Sequence, residues 1–585
     1  MVTENHPLAP PTMDRAMEFS PAGILRSFAG FLCFSVLSLA GAFPIEPVRG
    51  DVQNFTRGDA NSDGSVDIAD AITVLISLLQ GGQDALSCAD AGDANDDGAL
   101  DIADAVSTLG FLFLRYLSPP PPSRECGADP TDDALGCESF ETCPPPKGEV
   151  ATENWVARFT TAEYSNDAAH ALTVDAQGNV YVTGTATISH DGGDSYTNSA
   201  MLTVKYGVTG DQEWSARYEG YHDGNSGEAI AVDASGNVYV AGVSDGGPSA
   251  YQDIVVVKYD ASGVPIWSSL YDSGGRDLVA AMVLDCEGCV YVTGESDAFA
   301  DTEEDWVTIK YDAHGNEVWI DRYDGPAGRF DYPFALALGP DGNLYVAGSA
   351  YCGSYTSNDY TVVRYTPGGE RTWVSHYDGE GHSADYATAL AFDPRGNVCV
   401  TGRSHGIDSD FDYATVTFDA NGDLLWAARY DGPSHGGDSA VALAVDARGN
   451  VYVAGHSERE TDADHDFVVV SYDTYGRRRW SARYDGPDGG RDLVRGMALN
   501  DGDGIYVTGY VNGGLAGDAS RMDFCTVAYD LAGRERWVAI YDGPASDRDE
   551  ANAVCACPDG RVYVAGLSDW DYLTIGYGTA VSTEK

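Results

Sequence analysis

Two stretches near the N-terminus place side-chain oxygens at the spacing a hard cation demands. The first presents Asp59, Asn61, Asp63, Ser65, Asp67 and Asp70; the second presents Asp93, Asn95, Asp97, Ala99, Asp101 and Asp104. Each is a twelve-residue loop with donors at positions 1, 3, 5, 9 and 12. Gly64 and Gly98 stand sixth, where the chain must turn sharply, and Ser65 and Ala99 stand seventh, where a calcium loop uses the backbone carbonyl. Calcium takes about six to eight oxygens, so this pattern, present twice between Asp59 and Asp104, predicts two Ca2+ sites. The last ligand is an aspartate in both loops, shorter than the glutamate of intracellular sensors.

Each loop runs into an apolar segment of helical character, Ile68 to Leu79 and Ile102 to Leu117, with no helix of similar length before it. This loop-helix duplication resembles the type I dockerin family, in the form found in secreted proteins of planctomycete-like bacteria. The resemblance implies a small α-helical module that docks on a cohesin domain when calcium is bound. The positions that cellulosomal dockerins fill with a Ser-Thr pair hold Ile68-Ala69 and Ile102-Ala103. The expected partner is therefore a cohesin-like or another extracellular protein.

The chain carries 91 acidic against 34 basic residues, a formal net charge of -57. Such a surface repels nucleic acid and anionic membranes, which leaves cations as the more natural partners. Arg15 and Arg26 precede the apolar run Phe28 to Leu39, and Ala40-Gly41-Ala42 follows it, the pattern of a secretory signal peptide over residues 1–42. The expectation is a secreted bacterial protein, extracellular or on the cell surface, without a membrane-spanning helix, since no later run reaches about 18 apolar residues. Export permits disulfides. Cys88, Cys126, Cys137 and Cys143 form an even group of open connectivity, Cys286 and Cys289 flank a turn they could bridge, and Cys399, Cys525 and Cys555 stand at strand positions that suit inert buried thiols. A spacer covers residues 43–55, the paired calcium loops 56–117, a Pro/Cys-rich linker 118–150 and a C-terminal tail 579–585.

Residues 151–578 repeat one unit eight times, marked by Gly178-Asn-Val-Tyr-Val-Thr-Gly184 and its copies beginning at Gly236, Gly288, Gly342, Gly396, Gly449, Asp503 and Gly560. Every unit holds four strand patterns: Trp-x-x-Arg-Tyr, A-x-A-V-D, the GNVYVTG strand and a strand ending Val-Lys-Tyr-Asp. Eight four-stranded units predict an all-β eight-bladed β-propeller. The lone Trp155 strand enters first and the last three strands lack a tryptophan partner, so the N-terminal strand should complete the last blade, with A-x-A-V-D innermost. These motifs resemble the bacterial β-propeller repeat family called SBBP. The recurring D-x-x-G-x-x-x-W is also similar to the tryptophan-docking pattern of PQQ quinoproteins, although the adjacent cysteine pair of many of those enzymes is here Cys555-Ala-Cys557.

Tight D-x-x-G turns should occupy one face and variable loops the other. On the variable face, Asp167, Asn225, Asp277, Asp331, Asp385, Asp438, Asp492 and Asp549 should ring the channel mouth, with Asp253, Asp305, Asp359, Asp412, Asp466, Asp523 and Asp571 opening the strand that follows every GNVYVTG copy but the first. Two roles suit the ring: capping of loop amides, or a cation-binding mouth. No blade holds a base or nucleophile that its siblings lack, and His170, His190, His222, His405, His456 and His465 are expected as solvated loop residues. The functional expectation is a non-catalytic binding or scaffold protein attached through calcium, whose variable face takes a protein or a carbohydrate. The alternative is an extracellular propeller enzyme, a polysaccharide hydrolase or lyase or a PQQ-type quinoprotein.

Overall fold

Each GNVYVTG segment is apolar on both sides because it is covered on both sides: Val238–Ser244 is buried at every residue. The computed structural model describes residues 149–581 apart from short loop stretches, and before them only Ala60, residues 71–75, Leu78, Ala94, Asp104, Ala105 and Thr108. Among these residues the strands form eight antiparallel four-stranded sheets. In blade 1 the order from the axis outward is Ala168–Val174, Val180–Ile188, Asn198–Tyr206 and Gln212–Tyr218. The last of these alternates exposed and half-buried residues, as an outer edge must. The A-x-A-V-D strand is innermost, and each tryptophan strand is the outer strand of the blade formed by the preceding repeat, as expected.

The ring closes through the N-terminal strand. Glu149–Phe159 pairs antiparallel with Asp571–Val581, placing Trp155 opposite Gly576 and Phe159 opposite Tyr572. The innermost strands of blades 8 and 1 then touch as other neighbours do. Closure leaves every blade packed on both faces, the arrangement that an open solenoid denies to its ends.

Two devices fix the blades. The innermost strand carries a β-bulge at the same place in all eight, as between Ala387 and Ala389. The second strand's glycine accommodates it: a Cβ on Gly402 would meet the Tyr386 carbonyl oxygen at 2.0 Å. The second device joins neighbours. The Trp319 indole of blade 3 donates to the Pro367 carbonyl at 3.1 Å in the turn of blade 4, and the ring fills the space beside Gly369, whose φ is +88°. Trp214, Trp267, Trp373 and Trp480 repeat this contact with the next blade. Trp537 of blade 7 cannot, because blade 8 takes its outer strand from the other end of the chain and has no such turn; its buried Nε1 has no hydrogen-bond partner.

The GNVY motif has a local cause. In the first copy Asp175 Oδ1 accepts the amides of Gln177 and Asn179, while Oδ2 accepts Asn179 Nδ2 and the Tyr181 hydroxyl at 2.7 and 2.9 Å. The motif thus closes the turn between the two inner strands.

In the N-terminal region residues 71–75 are helical, and Ala60, Ala71, Val74 and Ala105 form a small buried cluster. Of the twelve expected calcium ligands only Asp104 is described; Asp59, Asn61, Asp63, Ser65, Asp67, Asp70, Asp93, Asn95, Asp97, Ala99 and Asp101 lie outside the described residues, as do Cys88, Cys126, Cys137 and Cys143. Among the described cysteines all seven are free thiols, so Cys286 and Cys289 do not bridge their turn. Cys399 and Cys525 are buried as expected, and Cys555 is half-buried. No described helix is long and apolar enough to cross a membrane.

Candidate functional site

The variable face is built from acidic junctions between successive blades. Five junctions bring together an aspartate at the first or second position of a third strand, the aspartate that follows the outer strand, and the aspartate at the start of the next innermost strand. Asp253, Asp272 and Asp277 make one such group, as do Asp305, Asp324 and Asp331; Asp359, Asp378 and Asp385; Asp412, Asp431 and Asp438; and Asp466, Asp485 and Asp492, each with one oxygen per carboxylate within 4.8 Å of the others. The two expected rings are therefore not separate: they meet at these blade junctions, joined by a third set from the Tyr-Asp pair that ends the outer strand. The sequence signal for that third set is the Tyr-Asp pair that closes the outer strand, as at Tyr271-Asp272 and Tyr377-Asp378.

The ring aspartates cap their own loops. Asp331 Oδ2 accepts the Gly325 amide and Oδ1 the Tyr351 amide; Asp385, Asp438, Asp492 and Asp549 accept the amides of Gly379, Gly432, Gly486 and Gly543 at 2.5 to 2.7 Å. All five are fully buried. Burial pushes the carboxyls of Asp331 and Asp438 up to about 6 and that of Asp492 up to about 7, against the opposing pull of these amides.

Neutralisation at the junctions comes from the Trp-x-x-Arg-Tyr arginine of the outer strand. Arg322 reaches Asp305 at 3.1 Å, Arg429 reaches Asp412 at 2.7 Å and Arg483 reaches Asp466 at 2.7 Å. Arg158 does so more loosely in the last blade, 3.9 Å from Asp571. The same strand position holds Leu270, His376 and Ile540 in blades 2, 4 and 7. Beside the junction of blades 5 and 6 lies an open depression of about 340 Å³ lined by Glu380, Ile407, Asp412, Arg429, Asp431 and His435.

The innermost strands break the symmetry in a way the repeat motif did not reveal. The bulge positions are His170, Glu228, Ala280, Phe334, Thr388, Val441, Arg495 and Asn552, chemically different in every blade. His170 Nδ1 lies 3.3 Å from Glu228 Oε2 and 3.2 Å from the Gly227 carbonyl, and Ser226 Oγ donates to Glu228 Oε1 at 2.5 Å. Asn552 Nδ2 donates to the Ala169 carbonyl and Thr388 Oγ1 to the Ala440 carbonyl, each in the next blade. Bulge residues thus clasp neighbouring inner strands. An alignment of the eight units at the bulge, in place of the GNVYVTG strand, exposes this set.

The histidines expected as solvated loop residues are largely something else. His170, His405, His456 and His465 lie in strands, His405, His456 and His465 close to strand ends. His456 and His465 pack ring to ring at 5.8 Å, and burial, then His465, pushes His456 down to about 3. His190 and His222 lie outside the described residues.

The β-propeller repeat (SBBP) family model matches residues 213–248. That is the outer strand of blade 1 with the two inner strands of blade 2. An uncharacterised WD repeat-containing protein of Acanthamoeba polyphaga mimivirus is 21% identical over 288 residues, 45% of this chain, and the match spans 17% of that protein's length. Among solved structures, a polysaccharide lyase aligns with TM-score 0.37 and 10% identity over 62% of this chain and 92% of its own. The β-propeller domain of the Trilobed protease of Pyrococcus furiosus aligns with TM-score 0.32 and 9% identity, over 50% and 78% of the two chains, and a glucose dehydrogenase with 0.30 and 12%, over 73% and 99%. At these values no activity transfers to this chain.

Proposed function

We propose that this chain is a secreted, non-catalytic binding protein. Its calcium-loaded dockerin-like module attaches it to a cohesin-like or other extracellular protein, and the variable face of the propeller takes a protein or carbohydrate ligand. The observation that carries the non-catalytic reading is how the reactive side chains are used. The ring aspartates hold loop amides, and in the Ser226, His170 and Glu228 group both oxygens meet the same imidazole nitrogen. A serine nucleophile needs a base on one ring nitrogen and an orienting acid on the other. The arrangement serves as a clasp between blades 1 and 2.

The donor set of the N-terminal loops fits calcium by its chemistry, all oxygen and mostly carboxylate. Asp104, the last ligand position of the second loop, is fully buried in a helical stretch where Thr108 Oγ1 donates to its carbonyl at 3.0 Å. Calcium at a hundredfold above its dissociation constant would add about 2.7 kcal/mol per site to folding of the module. The test is a pull-down from the native secretome with the whole mature chain, in calcium and in chelator, alongside a thermal melt of the same samples. The expected result is a partner retained only in calcium and a low-temperature transition that chelator abolishes. A chelator-insensitive melt removes the calcium assignment, and turnover of a polysaccharide or a PQQ-linked alcohol by the mature chain overturns the non-catalytic reading.

A further inference from the structure

At the junction of blades 4 and 5, the carboxylates of Asp359, Asp378 and Asp385 converge without the arginine that serves the outer ends of blades 3, 5 and 6. The outer strand of blade 4 carries His376 in that place, and its Nδ1 is engaged by Thr361 Oγ1 at 2.9 Å and faces Cys352 Sγ at 3.5 Å. The imidazole therefore does not replace the guanidinium.

The oxygens left behind are buried. Asp385 is fully buried and Asp359 is 4% exposed. The Oδ1 atoms of Asp359 and Asp378 are shielded from solvent and have no hydrogen-bond partner. Asp385 Oδ2 accepts the Gly379 amide at 2.7 Å, and Asp378 Oδ2 meets His382 Nδ1 at 2.7 Å. Ser404 Oγ accepts from Arg429 Nη1 at 2.7 Å and keeps its own proton for Asp385. Buried carboxylate oxygens without a donor are costly unless a cation or a proton intervenes.

We propose that this junction is a divalent-cation site of the calcium type, with Asp359, Asp378 and Asp385 as its protein ligands. One oxygen of each lies within 4.8 Å of the other two, a spacing that a single hard cation bridges. Calcium is favoured over zinc because the anionic groups are all oxygen. Asp378 is partly exposed, which leaves coordination positions open to solvent on the variable face. The site is independent of the N-terminal calcium loops and stands or falls without them.

The test counts bound metal. The full mature chain and its Asp359→Asn and His376→Arg variants are dialysed against equal calcium and zinc, and metal content is measured. The wild type should hold one calcium equivalent more than either variant, whatever the N-terminal loops bind. His376→Arg restores the sibling arginine and is expected to fold at least as well as the wild type, so it keeps the test decisive if Asp359→Asn misfolds. Equal calcium in the wild type and His376→Arg overturns the proposal, as does zinc in place of the additional calcium.

Discussion

Arg429 and Asp412 show what one side chain does at a junction. Asp412 is 3% exposed, its Oδ2 meets Arg429 at 2.7 Å, and the arginine also donates to the Ser404 carbonyl and hydroxyl. Removing one partner of a buried pair strands the other, so Arg429→Met should destabilise the propeller by about 3 kcal/mol in urea unfolding at pH 7.5. The loss should shrink at pH 5, where the stranded carboxyl takes a proton. The aspartates were legible in the sequence because they recur at fixed offsets. Their pairing was not, since Arg429 and Asp412 belong to strands whose registration only the folded sheet defines.

Among elements, the outer strand joins each blade to the next through its tryptophan. Trp319 and Trp537 occupy equivalent strand positions, yet Trp319 donates to Pro367 and Trp537 Nε1 has no partner. Phenylalanine removes similar ring volume at both places and a hydrogen bond at only one. Trp319→Phe should therefore be more destabilising than Trp537→Phe by about 1 kcal/mol, measured by chemical denaturation of the two variants. The tryptophan spacing predicted the blades. The exception at the seam follows from closure, because blade 8 borrows a strand that arrives without the usual turn.

At the scale of the whole molecule, the burial of many carboxylates sets the pH response. Asp331 and Asp438 are raised to about 6 and Asp492 and Glu295 to about 7, in each case chiefly by burial, whereas unfolded carboxyls titrate near about 4. The folded chain thus binds more protons than the unfolded one between about pH 4 and 7, and stability falls as pH rises through that window. The net charge of -57 adds self-repulsion of the same sign. In metal-free buffer the propeller should melt at a higher temperature at pH 5 than at pH 7.5, and a scan showing the reverse order would contradict this account.

By itself the sequence determined the eight blades, their strand order, the closure by the Trp155 strand and the calcium-loop pattern, because each rests on spacing along the chain. Spacing is local, and the physics of strands, turns and ligand loops is local with it. Only the tertiary structure decided that aspartates from three different segments meet at five of the blade junctions, that an outer-strand arginine pairs with one of them in blades 3, 5 and 6, and that bulge residues clasp one inner strand to the next. The carboxylate groups and the bulge clasps join neighbouring blades, while each arginine pairs with an aspartate on the adjacent strand of its own blade; both depend on how strands and sheets register, which spacing along the chain does not carry.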